Sequence, residues 1–188
     1  MDHPAAVILI VATVVIVAAG AAYFYWSKRR SKQLREHFGP EYDRVVGQEK
    51  SVRHAEGVLE FREKAREKLE IRPLSRADQV TFANRWATVQ REFVDDPQQA
   101  VSQADRLVSE VMQVSGYPMA SFEQRAEIIS VDHPVVVQNY RSAHEIALRQ
   151  RNQASTEDLR KAMVHYRSLF DELLQEIHTE NAATRKEA

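Results

Sequence analysis

Histidine, tyrosine, arginine and aspartate recur together in three short stretches of the C-terminal half: VDHP (131–134), NYRSAH (139–144) and VHYRS (164–168). Asp132, His133, Tyr140, Arg141, His144, His165, Tyr166 and Arg167 are the candidate polar site. A pocket near His133, Tyr140, His144 and His165 would suit a small polar ligand or acid–base chemistry, because imidazole and phenol groups are the proton carriers such chemistry uses. The same residues have a plainer reading. Asp132 caps a helix, Tyr140 and Tyr166 are core aromatics with hydroxyls at the rim, and Arg141 and Arg167 pair with nearby carboxylates.

Sharper chemistry finds no pattern to rest on. The seven histidines include no His-x-x-x-His pair, no HExxH and no Glu-x-x-His of the di-iron bundle type. No cysteine is present, which removes disulfides, thiolate metal sites and thiol nucleophiles at once. No GxSxG elbow occurs, and the five glycines are too dispersed for a dinucleotide fingerprint or a P-loop. Expectation therefore runs against an enzyme, and no cofactor or metal is assigned.

The elements that must position these residues begin with an apolar run. Residues 5–26, AAVILIVATVVIVAAGAAYFYW, carry no charge and as a helix would extend about 33 Å, enough to cross a bilayer. The run ends in Tyr23, Phe24, Tyr25 and Trp26, rings that settle at headgroup level, and cations follow: Lys28, Arg29, Arg30, Lys32 and Arg35. A cleaved secretory signal would carry its positive charge before the apolar run, whereas here Asp2 and His3 precede it. The positive-inside rule places the N-terminus outside and the body in the cytoplasm, at an inner membrane. The five cations are the expected contacts with the membrane surface, either as a topology signal or as a polybasic lipid patch.

The net charge of −1 conceals a division, with the stretch 27–40 at about +4 and everything after it at about −4. An acidic body lacks the basic face that nucleic-acid binding requires.

Behind the basic stretch, Gly39 and Pro40 mark a helix end and a new start. Residues 41–72 read as one long, largely exposed charged helix, broken or softened near Gly47 and Gly57, that lies against the domain or pairs with a second copy. Its apolar positions Tyr42, Val45, Val52, Leu59 and Leu69 are too sparse for a full coiled-coil seam. Pairs such as Glu60 with Lys64 and Glu63 with Arg66 give it a solvated face on which a protein partner or a second copy could lie.

From 73 to 178 the stripes are cleaner. Phe82, Trp86, Val89 and Phe93 share one face. Asp96 and Pro97 open a helix carrying Val101, Ala104, Val108 and Val111, which Gly116 closes. Ser121 with Gln124 caps a short helix from Phe122 to about 129. Asp132 and Pro134 open the next, with Val136, Tyr140, Ala143 and Ala147, and Ser155 with Asp158 opens the last, with Leu159, Ala162, Tyr166, Leu169, Leu173 and Ile177.

The expected fold is all-α: a transmembrane anchor (1–26), a basic juxtamembrane segment (27–40), a long charged helix (41–72), and a four-helix-type bundle with a short extra helix (73–178), followed by a disordered tail (179–188). FGPEYDR (38–44), SVDHP (130–134) and YRSAH (140–144) resemble motifs of an uncharacterised family of bacterial single-pass membrane proteins. That resemblance covers most of the chain after Arg35 and implies a bacterial membrane protein with no catalytic assignment.

Overall fold

The computed structural model describes residues 3–118, 120–149 and 154–184, and the side chains of residues 11–118, 120–149 and 154–174. These residues form helices and no strand: α1 (His3–Phe38), α2 (Pro40–Gln48), α3 (Val52–Glu67), α4 (Arg76–Glu92), α5 (Pro97–Val114), α6 (Phe122–Asp132), α7 (Val136–Leu148) and α8 (Thr156–Thr184).

The N-terminal boundaries follow from side-chain oxygens that satisfy the first free amides of each helix. Ser75 Oγ accepts from Asp78 N at 3.1 Å, Asp96 Oδ1 from Gln99 N at 2.9 Å, and Ser121 with Gln124 closes a reciprocal box. Ser155 and Asp158 do the same for α8. Each such cap is worth about 1 kcal/mol. Asp132 departs from expectation: it ends α6, and α7 begins at Val136 without a side-chain cap. Its carboxylate is engaged elsewhere, by Arg66 Nε at 2.5 Å and Tyr117 OH at 3.0 Å. Helix α8 continues through Thr184, past the end expected at 178, and residues 185–188 lie outside the described residues.

Helix α5 packs against α4, α7 and α8, and α8 packs against α7, which makes the expected bundle. Its core joins Phe82, Trp86 and Val89 of α4 to Val101, Ala104, Val108 and Val111 of α5 and to Leu159, Ala162, Tyr166 and Leu169 of α8. Trp86 stacks on Phe170 with ring centroids 4.7 Å apart. Burial of each large side chain contributes about 1.5–3 kcal/mol, which is why four stripes of this kind hold one arrangement.

A second core lies outside the bundle, made of Leu34, Phe38, Tyr42, Val45, Ala55, Leu59 and Val131. It corrects the reading of residues 41–72 as largely exposed, while the helix breaks close to Gly47 as expected and the segment lies against the rest of the chain. The chain reverses at Gly39, whose φ of 47° is positive as expected but whose ψ of −122° makes an extended turn in place of a left-handed helical cap, and α2 ends at Gln48 before Ser51 caps α3. Gly57 lies inside α3. Three of the four charges expected to pair along a solvated face turn to other helices, Lys64 staying exposed: Glu60 pairs with Arg30 and Glu63 with His37, both on α1, while Arg66 crosses to Asp132 on α6. Opposite charges that find partners on neighbouring helices fold a charge-rich segment inward.

At about 1.5 Å per residue α1 is about 54 Å long, and it is long and apolar enough to cross a membrane, with its described apolar part, from Val11 on, left unburied by the rest of the structure. Its last turns are nonetheless core: Leu34 and Phe38 are buried against α2, α3 and α6. The apolar segment and the body are joined by unbroken helix.

Candidate functional site

Two groups of polar residues gather inside the described structure. The first centres on Glu41, fully buried in the first turn of α2. Its Oε1 accepts from Arg44 Nη2 at 2.5 Å, Arg62 Nη1 at 2.8 Å and Arg141 Nη2 at 3.0 Å; its Oε2 accepts from Arg44 Nε at 2.8 Å and Gln138 Nε2 at 2.7 Å. These bonds saturate both oxygens of the carboxylate. Burial pushes the Glu41 carboxyl upward, but the Arg44 hydrogen bond and the fields of Arg141, Arg44 and Arg62 outweigh it and hold the group below the usual glutamate range. Arg62, itself buried, reaches Glu127 with its other nitrogen at 3.1 Å. Close by, the buried Tyr42 hydroxyl donates to Glu56 at 3.0 Å.

The second group centres on Asp105 of α5. Tyr166 donates to Asp105 Oδ1 at 2.8 Å, and His144 Nδ1 lies 3.5 Å from the same oxygen. Tyr140 and Tyr166 are completely buried, with ring centroids 6.4 Å apart. His144 stacks flat on Phe122 at 3.6 Å. Burial raises Asp105, yet the bonds from His144 and Tyr166 bring its carboxyl below the ordinary aspartate range. Burial first, and then the Asp105 charge, push the Tyr166 phenol strongly upward, so it stays protonated and donating.

The eight predicted residues therefore divide. Tyr140, His144 and Tyr166 come together around Asp105. Arg141 turns the other way, to Glu41, and Asp132 binds Arg66 and Tyr117. His133 is buried, with Nδ1 3.6 Å from Glu172. Arg167 pairs with Asp171 at 3.3 Å on the exposed side of α8, and His165 sits half-buried beside the α8 stripe. The plainer reading holds for the arginines and tyrosines, except that the Tyr140 and Tyr166 hydroxyls are interior and not at a rim.

Sequence reasoning missed Glu41, Arg62 and Asp105, the centres of both groups. A signal was present for Asp105, a carboxylate immediately beside the buried stripe of α5. Glu41 lay in plain view in FGPEYDR, but without its partner 100 positions away it reads as a first-turn acid.

Chemically, the Glu41 carboxylate is closed, whereas Asp105 and His144 keep partly exposed side chains. The larger grooves on the described surface are lined by other residues: one of about 550 Å³ by Arg85, Gln103, Arg106 and Glu110 between α4 and α5, and others along α1. No cluster of three or more metal-ligating side chains occurs among the described residues. What the Glu41 group does is mechanical. Together with Arg62–Glu127, Arg66–Asp132 and Val131 in the second core, it fastens the α1–α3 unit to α6 and α7.

The basic juxtamembrane residues are partly occupied as well. Arg30 pairs with Glu60 and lies over the Trp26 ring, and Arg35 lies over Tyr42 at 5.0 Å and pairs with Asp43 at 3.8 Å. Lys32 pairs weakly with Glu36 at 3.7 Å while remaining exposed, and Lys28 lies 5.1 Å over Phe24. No protein-family model, curated protein or solved structure matches the chain.

Proposed function

We propose that the chain is a membrane-anchored helical interaction module, held by residues 5–26 in a bacterial inner membrane with its N-terminus outside and its body in the cytoplasm. The observation that carries this reading is the continuity of α1, whose apolar half leads without a break into buried Leu34 and Phe38. An anchor built this way fixes the height and orientation of the body. Confinement to a surface then raises the effective concentration of the body for a membrane-bound partner or a second copy without any new contact. The charge asymmetry about α1 supports the orientation, and the resemblance of FGPEYDR and SVDHP to bacterial membrane proteins supports the provenance.

The contact surface we assign is the outer face of α3, where Gly57, Phe61, Lys64 and Lys68 are exposed at helical spacing. Phe61 is 72% exposed, a large ring that the described residues leave uncovered. Consumption of Arg141, Asp132 and Tyr166 in internal pairs, and burial of Tyr140 in the core, support an interaction role over a ligand pocket near His133, Tyr140, His144 and His165. The test is proximity labelling from a C-terminal fusion in the native cell, with the wild type and Phe61→Glu side by side. The reading expects membrane-fractionated protein and a reproducible neighbour that Phe61→Glu loses. Protein recovered in the aqueous fraction, or labelling indifferent to Phe61→Glu, contradicts it.

A further inference from the structure

We infer that the groove between α1 and the α2–α3 turn receives the headgroup of an anionic phospholipid from the leaflet that α1 leaves. This rests on the reading of α1 as a bilayer anchor. The groove has a volume of about 420 Å³, and its walls include Phe24, Lys28, Lys32 and Arg35 from α1, facing Tyr42 of α2 and Val52 of α3.

Its height follows from helix geometry. Lys28 stands about 3 Å beyond Trp26 along α1, within the polar layer of a bilayer, and Lys32 about 9 Å beyond it, at the outer edge of that layer, which occupies about 5–8 Å on each side of the hydrocarbon. Helix α2 turns back at Gly39, sets Tyr42 beside Arg35, and so brings the α2–α3 turn down level with the groove.

The chemistry of the walls matches a phosphodiester carried on acyl chains. The lining residues include three cations and no carboxylate; Glu36 and Asp43, the partners of Lys32 and Arg35, lie outside it. Phe24 at its lower end and Val52, half exposed, on the far wall offer apolar surface to the glycerol and upper acyl carbons. An isolated basic helix would attract anionic lipid diffusely. Here a second wall makes a bounded site, and a free anion would leave the apolar part of that site unfilled.

The experiment uses the full chain reconstituted in vesicles of equal parts phosphatidylcholine and phosphatidylglycerol, then released in mild detergent and weighed intact with its bound lipid. The expected result is phosphatidylglycerol retained over phosphatidylcholine by the wild type. Lys28→Gln with Lys32→Gln, and separately Val52→Asp, should each lower that retention by about fivefold or more, the factor that one cation near a membrane surface represents. All these positions are exposed, so the helical signal and melting of each variant should match the wild type. Flotation with the vesicles is scored first. A chain left in the aqueous layer overturns the anchor reading and this site with it. A chain that floats but shows no preference for phosphatidylglycerol, keeps its lipid in both variants, or surrenders it to inorganic phosphate overturns the site alone.

Discussion

Glu41, in the first turn of α2, accepts a hydrogen bond at 3.0 Å from Arg141, in the middle of α7, across 100 positions of sequence. The bond is part of a seam. Arg62 with Glu127 and Arg66 with Asp132 continue it along α3 and α6, so the unit nearest the apolar segment and the helical bundle share one ionic joint. Desolvating charge costs free energy, and such a joint is expected to define one arrangement more than to raise stability over an apolar alternative.

Removing the acid breaks the joint from its centre. Glu41→Gln leaves Arg44, Arg62 and Arg141 facing one another with Glu127, on Arg62, as the remaining counter-charge. Loss of one partner from a buried ionic group costs about 3–5 kcal/mol. Denaturant unfolding should show that loss, and Arg141→Gln combined with Glu41→Gln should cost less than the sum of the single changes by about 0.5–3 kcal/mol. Additive losses would mean that the two residues act independently.

The pH dependence has a definite sign. Glu41 and Asp105 both titrate lower in the folded chain than in an ordinary carboxyl group. Each therefore contributes stability that is present above its unfolded value, about 4, and is lost as pH falls through the lower folded value. The unfolding midpoint should fall on acidification below about pH 4, and Glu41→Gln should flatten part of that slope. A slope unchanged by Glu41→Gln would place the titrating group elsewhere.

Much of the fold was legible because its signals are local. Ser75, Asp96, Ser121 and Ser155 each announce a helix start within three residues, and the stripe from Leu159 to Leu173 repeats at one period. The stretch 41–72 was misread for a physical reason. High charge density signals exposure only when the charges lack partners, and Glu60, Glu63 and Arg66 find theirs on α1 and α6. Asp132 shows the limit from the other side: an aspartate two residues before proline has the spacing of a cap, yet Arg66 and Tyr117 hold its oxygen. The Asp105 group was half visible, since Tyr140, His144 and Tyr166 were singled out while the carboxylate that gathers them was not.

Tyr166→Phe tests that carboxylate. The substitution keeps the ring in the core and removes the hydroxyl that donates to Asp105 at 2.8 Å. A hydrogen bond to a charged group is worth about 1.5–3 kcal/mol, and thermal unfolding should register a loss of that size. No change in stability would mean that water or His144 replaces the phenol at no cost.

Gly116 closes α5 with a φ of 95°, and a β-carbon there would stand 2.5 Å from the Glu70 carbonyl oxygen. Both the backbone conformation and the contact refuse a side chain. Gly116→Ala should destabilise the chain by more than about 1 kcal/mol and loosen the link between α3 and α4, where Arg72 N donates to Ser115 O at 2.9 Å. Hydrogen exchange at Arg72 reads that loosening directly, and protection equal to wild type would argue against it.

On this reading α1 and the bundle move as one body. The chain contains no cysteine, so spin labels at Gln33→Cys on α1 and Ala87→Cys on α4, both exposed, report one pair without background. In reconstituted membranes, pulsed dipolar spectroscopy should give a single narrow distance distribution that broadens when Glu41→Gln is added. A broad distribution in the otherwise unaltered chain would show instead a bundle swinging on a loose tether.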